Sequence, residues 1–122
     1  MLRNAYRTIR LGVSSNYMNT FDDYQKAAET TAIYSKKTAL EYLSLGLASE
    51  AGEVAGHIAK YYRSDRAYPM EDILAECGDV LWFISELARI HNKPLSELAA
   101  ENIAKLQSRK QRGKLKGNGD KR

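Results

Sequence analysis

Apolar residues return every three or four positions along most of the chain, and helix start or stop signals bound each run. Leu40, Leu43, Leu47, Val54, Ile58 and Tyr61 form one stripe between about Thr38 and Arg63. Ile73, Val80, Phe83, Leu87 and Ile90 form the next, which opens at Pro69, where a first helical turn tolerates the missing N–H, and runs to about Asn92. A last stripe, Leu95, Leu98, Ile103 and Leu106, follows Lys93 and Pro94. Ahead of them the sequence predicts a short helix from about Phe21 to Tyr34, capped by Thr20, with Asp22 and Asp23 complementing the positive end of its dipole. Nothing alternates convincingly with period two, no repeat is visible and the connections are short. These features predict an all-α fold, an antiparallel bundle of about four helices in one domain spanning residues 18–112.

The flanks differ from this body. Residues 1–17 carry Arg3, Arg7 and Arg10 and no acid, which fits a poorly ordered leader or, less well for want of an apolar face, a transit peptide; Met18 is a second possible start. Residues 113–122 are basic, and Gly113, Gly117 and Gly119 end regular structure. The formal charge of +4 is therefore uneven: residues 105–122 hold eight Lys or Arg against Asp120, whereas residues 18–104 hold 8 bases and 14 acids. An acidic body with a basic end suits nucleic-acid binding, and it equally suits an acidic metal pocket approached by phosphate-holding cations. Cys77 has no partner for a disulfide and no run of about 18 apolar residues occurs, so a soluble, cytoplasmic protein with no membrane contact is expected.

Two positions break the apolar pattern. The second helix's seam reads Leu40, Leu43, Leu47, Glu50, Val54, and the third's reads Ile73, Glu76, Val80, Phe83, Leu87, so each places a carboxylate where a leucine is expected. Each intruder is followed three residues later by another acid, Glu53 or Asp79, on the same helix face. The chain climbs from Glu53 to Arg63, turns, and descends from Pro69 to Glu76 over a similar length. A hairpin thus brings both pairs to one height, where four carboxylates repel unless a cation sits between them. Carboxylate oxygen is a hard donor that suits Mg²⁺, Mn²⁺ or Ca²⁺.

The segments ASEAGEVAGHIAKYYR and ECGDVLWFISELARI resemble the ExxE, spacer, ExxD signature of MazG-like nucleotide pyrophosphohydrolases, and the likeness continues through ENIAKLQSRKQRG to the closing GNGDKR. The resemblance implies an α-helical homo-oligomer, dimer or tetramer, that hydrolyses nucleoside triphosphates to monophosphate and pyrophosphate with Mg²⁺, or Mn²⁺ in its place. It implies that Glu50, Glu53, Glu76 and Asp79 are the metal ligands and that Asn102 and Lys105 face the phosphates. Glu53 is the candidate general base for the attacking water. Lys60, seven residues beyond Glu53 on the same face, and Arg109, which shares a face with Lys105, are candidate phosphate-binding cations, with solvated surface positions as the alternative.

His57 lies four residues after Glu53, but a carboxylate-bridged di-iron site needs two Glu-x-x-His copies, so a surface or partly buried histidine is expected. Trp82 and the tyrosines at 24, 42, 61 and 62 are expected in core or interface. Gly52, Gly56 and Gly78 each cost a helix about 1 kcal/mol relative to alanine, and Gly52-x-x-x-Gly56 offers a smooth face for a dimer contact. The competing function is a nucleic-acid-binding protein using the basic C-terminal segment, which leaves the acids in the seams unexplained.

Overall fold

The computed structural model describes residues 19–64 and 66–122; the leader expected at residues 1–17 lies outside the described residues. The described residues form four α-helices and no strand: α1 Phe21–Glu29, α2 Ala39–Tyr62, α3 Met70–Ile90 and α4 Leu95–Gln111. A single 3-10 turn at Lys36–Thr38 leads into α2. No helix among the described residues is long and apolar enough to cross a membrane.

The principal unit is the antiparallel pair α2 and α3, joined through residues 63–69. At 24 residues α2 runs for about 36 Å. Close approach of the two helices is set by Gly46, where a Cβ would stand 2.1 Å from the Phe83 ring. The sequence drew attention to Gly52, Gly56 and Gly78 instead, yet a Cβ on any of these would meet nothing within 4 Å. Leu43 and Phe83 are buried here, and Tyr34, Tyr42, Trp82 and Phe83 form a chain of ring contacts with centroids 5.0–6.2 Å apart.

Helix α1 is shorter than its sequence predicts. Its start is as expected, a capping box in which Thr20 Oγ accepts from the Asp23 N–H and the Asp23 carboxylate accepts from the Thr20 N–H. It stops at Glu29 because Thr30 and Thr31 turn their hydroxyls back onto the carbonyls of Ala27 and Ala28, at 2.6 and 2.7 Å, a local alternative to continuing the helix. The chain released there lets Tyr34 reach α3.

The residue before α4, Pro94, has no side-chain donor or acceptor with which to cap the helix. Helix α1 supplies the cap: the Asp22 carboxylate accepts from the Ser96 N–H and hydroxyl at 3.0 and 2.7 Å, which holds its pKa below the ordinary range. Gln25 accepts from the Leu95 N–H and donates to the carbonyls of Lys93 and Ser85. Preceding this junction, α3 ends in a left-handed Asn92 (φ 55°), whose N–H returns to the Arg89 carbonyl while that of Lys93 returns to Ala88. The first turns of α4 thereby dock on α1 and α3, and among the described residues α4 makes no backbone approach to α2. Beyond Leu95, which is buried, its expected apolar stripe is uncovered: Leu98, Ile103 and Leu106 are exposed. Leu40 and Tyr61 of the α2 stripe are exposed as well.

Candidate metal centre

The α2–α3 register fixed at Gly46 and Phe83 carries the helices onward so that Glu50 faces Asp79 and Glu76. Glu50, Glu76 and Asp79 each offer a carboxylate oxygen, and these atoms lie within 4.8 Å of one another. Glu53, His57 and Glu76 form a second set of the same tightness, sharing Glu76 with the first. The two acidic pairs read from the seams therefore do meet. Glu50 and Glu76 are half-buried, and Glu53 and Asp79 stand at the exposed edge.

The electrostatics follow from that geometry. Burial, a hydrogen bond shared with Glu76, and the charges of Asp79, Glu76 and Glu53 together push the Glu50 pKa above its ordinary 4.5. Nearby, burial first and then the Asp79 and Glu86 charges raise the phenol of Tyr24. Hard oxygen donors in this number suit a divalent cation. Cys77, between Glu76 and Gly78, lies on the exposed side of α3, outside the cluster's two ligand sets.

His57 is partly buried, as expected, but it has a specific task that the sequence did not reveal. Arg66 contacts its Nδ1, and because arginine only donates, Nδ1 must be the acceptor. The ring proton then sits on Nε2, which donates to Glu76 Oε1 at 3.1 Å. Arg66 in turn pairs with Asp72 at 3.0 Å. In this tautomer His57 orients Glu76 and leaves the carboxylates to act as ligands, the arrangement that commonly fixes a metal-binding carboxylate. The sequence signal was its i+4 position after Glu53, but the partner Arg66 lies in the connection, where helical spacing says nothing.

The predicted phosphate-binding residues belong to neither of the two ligand sets. Lys60 is exposed two turns beyond Glu53 on α2. Asn102 and Lys105 line a concavity of about 340 Å³ on α4 together with Leu98 and Glu101. Arg109 is buried, its side chain 6% exposed, under the C-terminal segment, where Nη2 donates to the Asp120 carboxylate. That position makes it an anchor for the tail, whereas its helical face predicts a phosphate-binding cation or, alternatively, a solvated surface position.

Comparison with known proteins adds an independent line. The family model described as the MazG nucleotide pyrophosphohydrolase domain matches residues 38–113, a span that contains both acidic pairs and the whole of α2, α3 and α4. The Gene 37 protein of Mycobacterium phage L5 is similar, 41% identical over an alignment 111 residues long, with 83% of this chain and 97% of the phage protein covered. No solved structure matches the chain.

Proposed function

The chain belongs to the MazG nucleotide pyrophosphohydrolase family, and from that premise we propose that it is a Mg²⁺-dependent hydrolase that converts nucleoside triphosphates to monophosphates and pyrophosphate. The observation that carries the reading is the convergence of Glu50, Glu76 and Asp79, with the proton of Glu50 held more tightly than usual by burial first and then by its acidic neighbours. Such a set is more stable with a cation than without one. Glu50, Glu76 and Asp79, with Glu53 beside them, would hold Mg²⁺ or Mn²⁺, which when bound neutralises phosphate charge and acidifies water.

The residues divide the remaining work. Glu53, at the exposed edge, accepts the proton of the attacking water, and His57 keeps Glu76 facing the site so that its carboxylate need not reorganise. Cations take the leaving pyrophosphate. Lys60 supplies one, and the limb bearing Asn102 and Lys105 supplies another from a second copy of the chain. That assignment makes the active form a homo-oligomer, dimer or tetramer. It is supported by the uncovered Leu98, Ile103 and Leu106 stripe of α4 and by an apolar groove of about 420 Å³ lined by Leu47, Ile84, Leu87 and Leu98. A reducing cytoplasmic setting suits the exposed Cys77 thiol. The nucleic-acid reading loses support because Arg109, Arg112 and Arg122 of the basic segment are engaged within the chain.

A panel of triphosphates incubated with Mg²⁺ and resolved by anion exchange tests the proposal. Monophosphate and pyrophosphate are expected, with diphosphates poorer substrates because a single phosphate leaves with fewer oxygens to hold. Glu50→Gln is expected to lower turnover by at least about a hundredfold, the upper end of what loss of a ligand's supporting group alone costs. Orthophosphate as the primary product overturns the assignment.

A further inference from the structure

The last ten residues carry no apolar stripe, yet they are folded back on α4 by a closed set of contacts. Gly113 (φ 67°) ends the helix with the Lys114 N–H on the Arg109 carbonyl, and Gly117 and Gly119 adopt positive φ values of 127° and 86° that side chains rarely tolerate. Arg122 ties the loop shut by donating to the carbonyls of Gly119, Lys114 and Leu115, and Arg112 donates to the Arg122 carbonyl at 3.0 Å. At the crest of this loop stands Asp120. One of its carboxylate oxygens accepts from Lys105 Nζ at 2.8 Å and from Arg109 Nη2 at 3.0 Å, and its backbone carbonyl also contacts Arg109. The Arg109 side chain is 6% exposed and its Nε is buried with no hydrogen-bond partner, whereas Lys105 is 40% exposed.

We propose that Asp120 is a positioning residue for the triphosphate site: anchored by buried Arg109, its carboxylate fixes the ammonium of Lys105 at the rim of the Asn102–Lys105 concavity. This rests on the reading that Lys105 receives phosphate. Asp120 takes one of the three Lys105 donors and leaves the others for a ligand. Two cations against one anion leave the Asp120 cluster net positive, and Glu101, which also lines the concavity, is paired with Lys93; a long side chain held in place beforehand need not be ordered when the phosphate arrives. The pairing with Lys105, then Arg109, holds the Asp120 carboxyl below its ordinary range, so it stays ionised at neutral pH.

Replacing Asp120 distinguishes positioning from mere occupation of the cations, because the two predict opposite signs. Asp120→Asn removes a negative charge. If the carboxylate only competes with phosphate, KM falls; if it positions Lys105, KM for the triphosphate rises about threefold to tenfold, the range for ordering one long side chain, with kcat changed less. Asp120→Glu should recover part of the loss. In a Lys105→Ala background, Asp120→Asn should add nothing, since the effect passes through that lysine. Calorimetric binding of inorganic tripolyphosphate to wild type and to these four variants in Mg²⁺ supplies a readout that does not need turnover, and equal melting temperatures exclude general unfolding. A KM that is unchanged or lower, or full additivity with Lys105→Ala, overturns the proposal while leaving pyrophosphohydrolase activity standing. If wild type releases no pyrophosphate, the functional reading fails by itself. Tripolyphosphate binding that weakens in Asp120→Asn then still supports the positioning role, and binding that is equal in both, or absent from wild type, overturns it.

Discussion

Helix α3 carries two intruding glutamates, Glu76 and Glu86, and the chain treats them in opposite ways. Glu86 is the deeper, with no exposed surface, and it is provided with its own partners: Tyr34 donates to it at 2.6 Å and Arg89 donates through Nε and Nη2 at 2.9 and 2.6 Å. Arg89 also reaches Tyr34 and Glu29, and the hydrogen bond to Glu86 raises its pKa, so its charge is secure. Glu76 is only half-buried, yet its company includes Glu50 and Asp79, and the charges acting on Glu50 are those of other carboxylates. Burial alone therefore does not mark a functional acid. A deeply buried carboxylate with a resident cation is part of the fold; shallower carboxylates facing one another are arranged for a cation that comes from outside.

The strongest way to break this contrast is to remove the acid assigned to structure. Glu86→Ala leaves Arg89 without its main acceptor and the Tyr34 hydroxyl without the acceptor of its proton, and breaking a buried pair costs about 3–5 kcal/mol. Because the Arg89 side chain is 30% exposed and water can resolvate it, the lower end is expected. Urea unfolding measures it, and a loss below about 0.5 kcal/mol, within the ordinary range of surface substitutions, would erase the distinction.

A smaller effect probes the joint between the two sites. Phe83 lies between Asp79 and Glu86 along α3 and is packed into the space where Gly46 has no side chain. Gly46→Ala gains about 1 kcal/mol of helix propensity but forces a buried ring to move, and overpacking costs about 1–3 kcal/mol. With a Cβ at 2.1 Å the steric term should win, giving a net loss of about 1–2 kcal/mol. The same displacement should weaken the stabilisation by Mg²⁺, because it separates the helices that bring Glu50 to Glu76 and Asp79. Loss of stability with an intact Mg²⁺ response would show that the carboxylate cluster does not depend on this contact.

Much of this was legible in the chain because helical periodicity assigns residues to faces. The three long helices fall within one or two residues of where stripes and breakers put them, and Glu50 and Glu76 were visible as acids in apolar seams. What stayed hidden depends on partners distant in sequence. Thr30 and Thr31 end α1 through hydroxyl contacts that periodicity does not encode. Asp22 reads as a dipole-complementing acid of its own helix, whereas it caps α4. Gly46 sits unremarked in the Leu43–Leu47 stripe, and only the Phe83 ring across the hairpin gives it meaning. Arg109 shares a face with Lys105 as its spacing says, but the tail that buries it comes from a segment with no apolar pattern.

The subtlest test concerns the sign of a pH dependence. In the metal-free protein the Glu50 carboxyl binds its proton more tightly when folded than the ordinary 4.5 of the free side chain. Between those two values the folded state holds more protons than the unfolded one, so stability must fall as pH rises, the reverse of the usual salt-bridged carboxylate. The contribution is fully present below 4.5 and is lost once pH passes the raised value. Glu50→Gln has no proton to lose. In chelator it should therefore be flatter than wild type through that window and equal or slightly superior in melting temperature above it, the gain being limited by the need of the amide for hydrogen-bond partners. Excess Mg²⁺ should invert the order at neutral pH, since a cation bound only by the folded state adds about 2.7 kcal/mol at one hundred times its Kd, and the variant lacks a ligand. Melts of both proteins at several pH values, with chelator and with Mg²⁺, supply all four comparisons. A variant that melts well below wild type in chelator, yet gains as much from Mg²⁺, would make Glu50 a structural hydrogen-bonding residue of the same kind as Glu86.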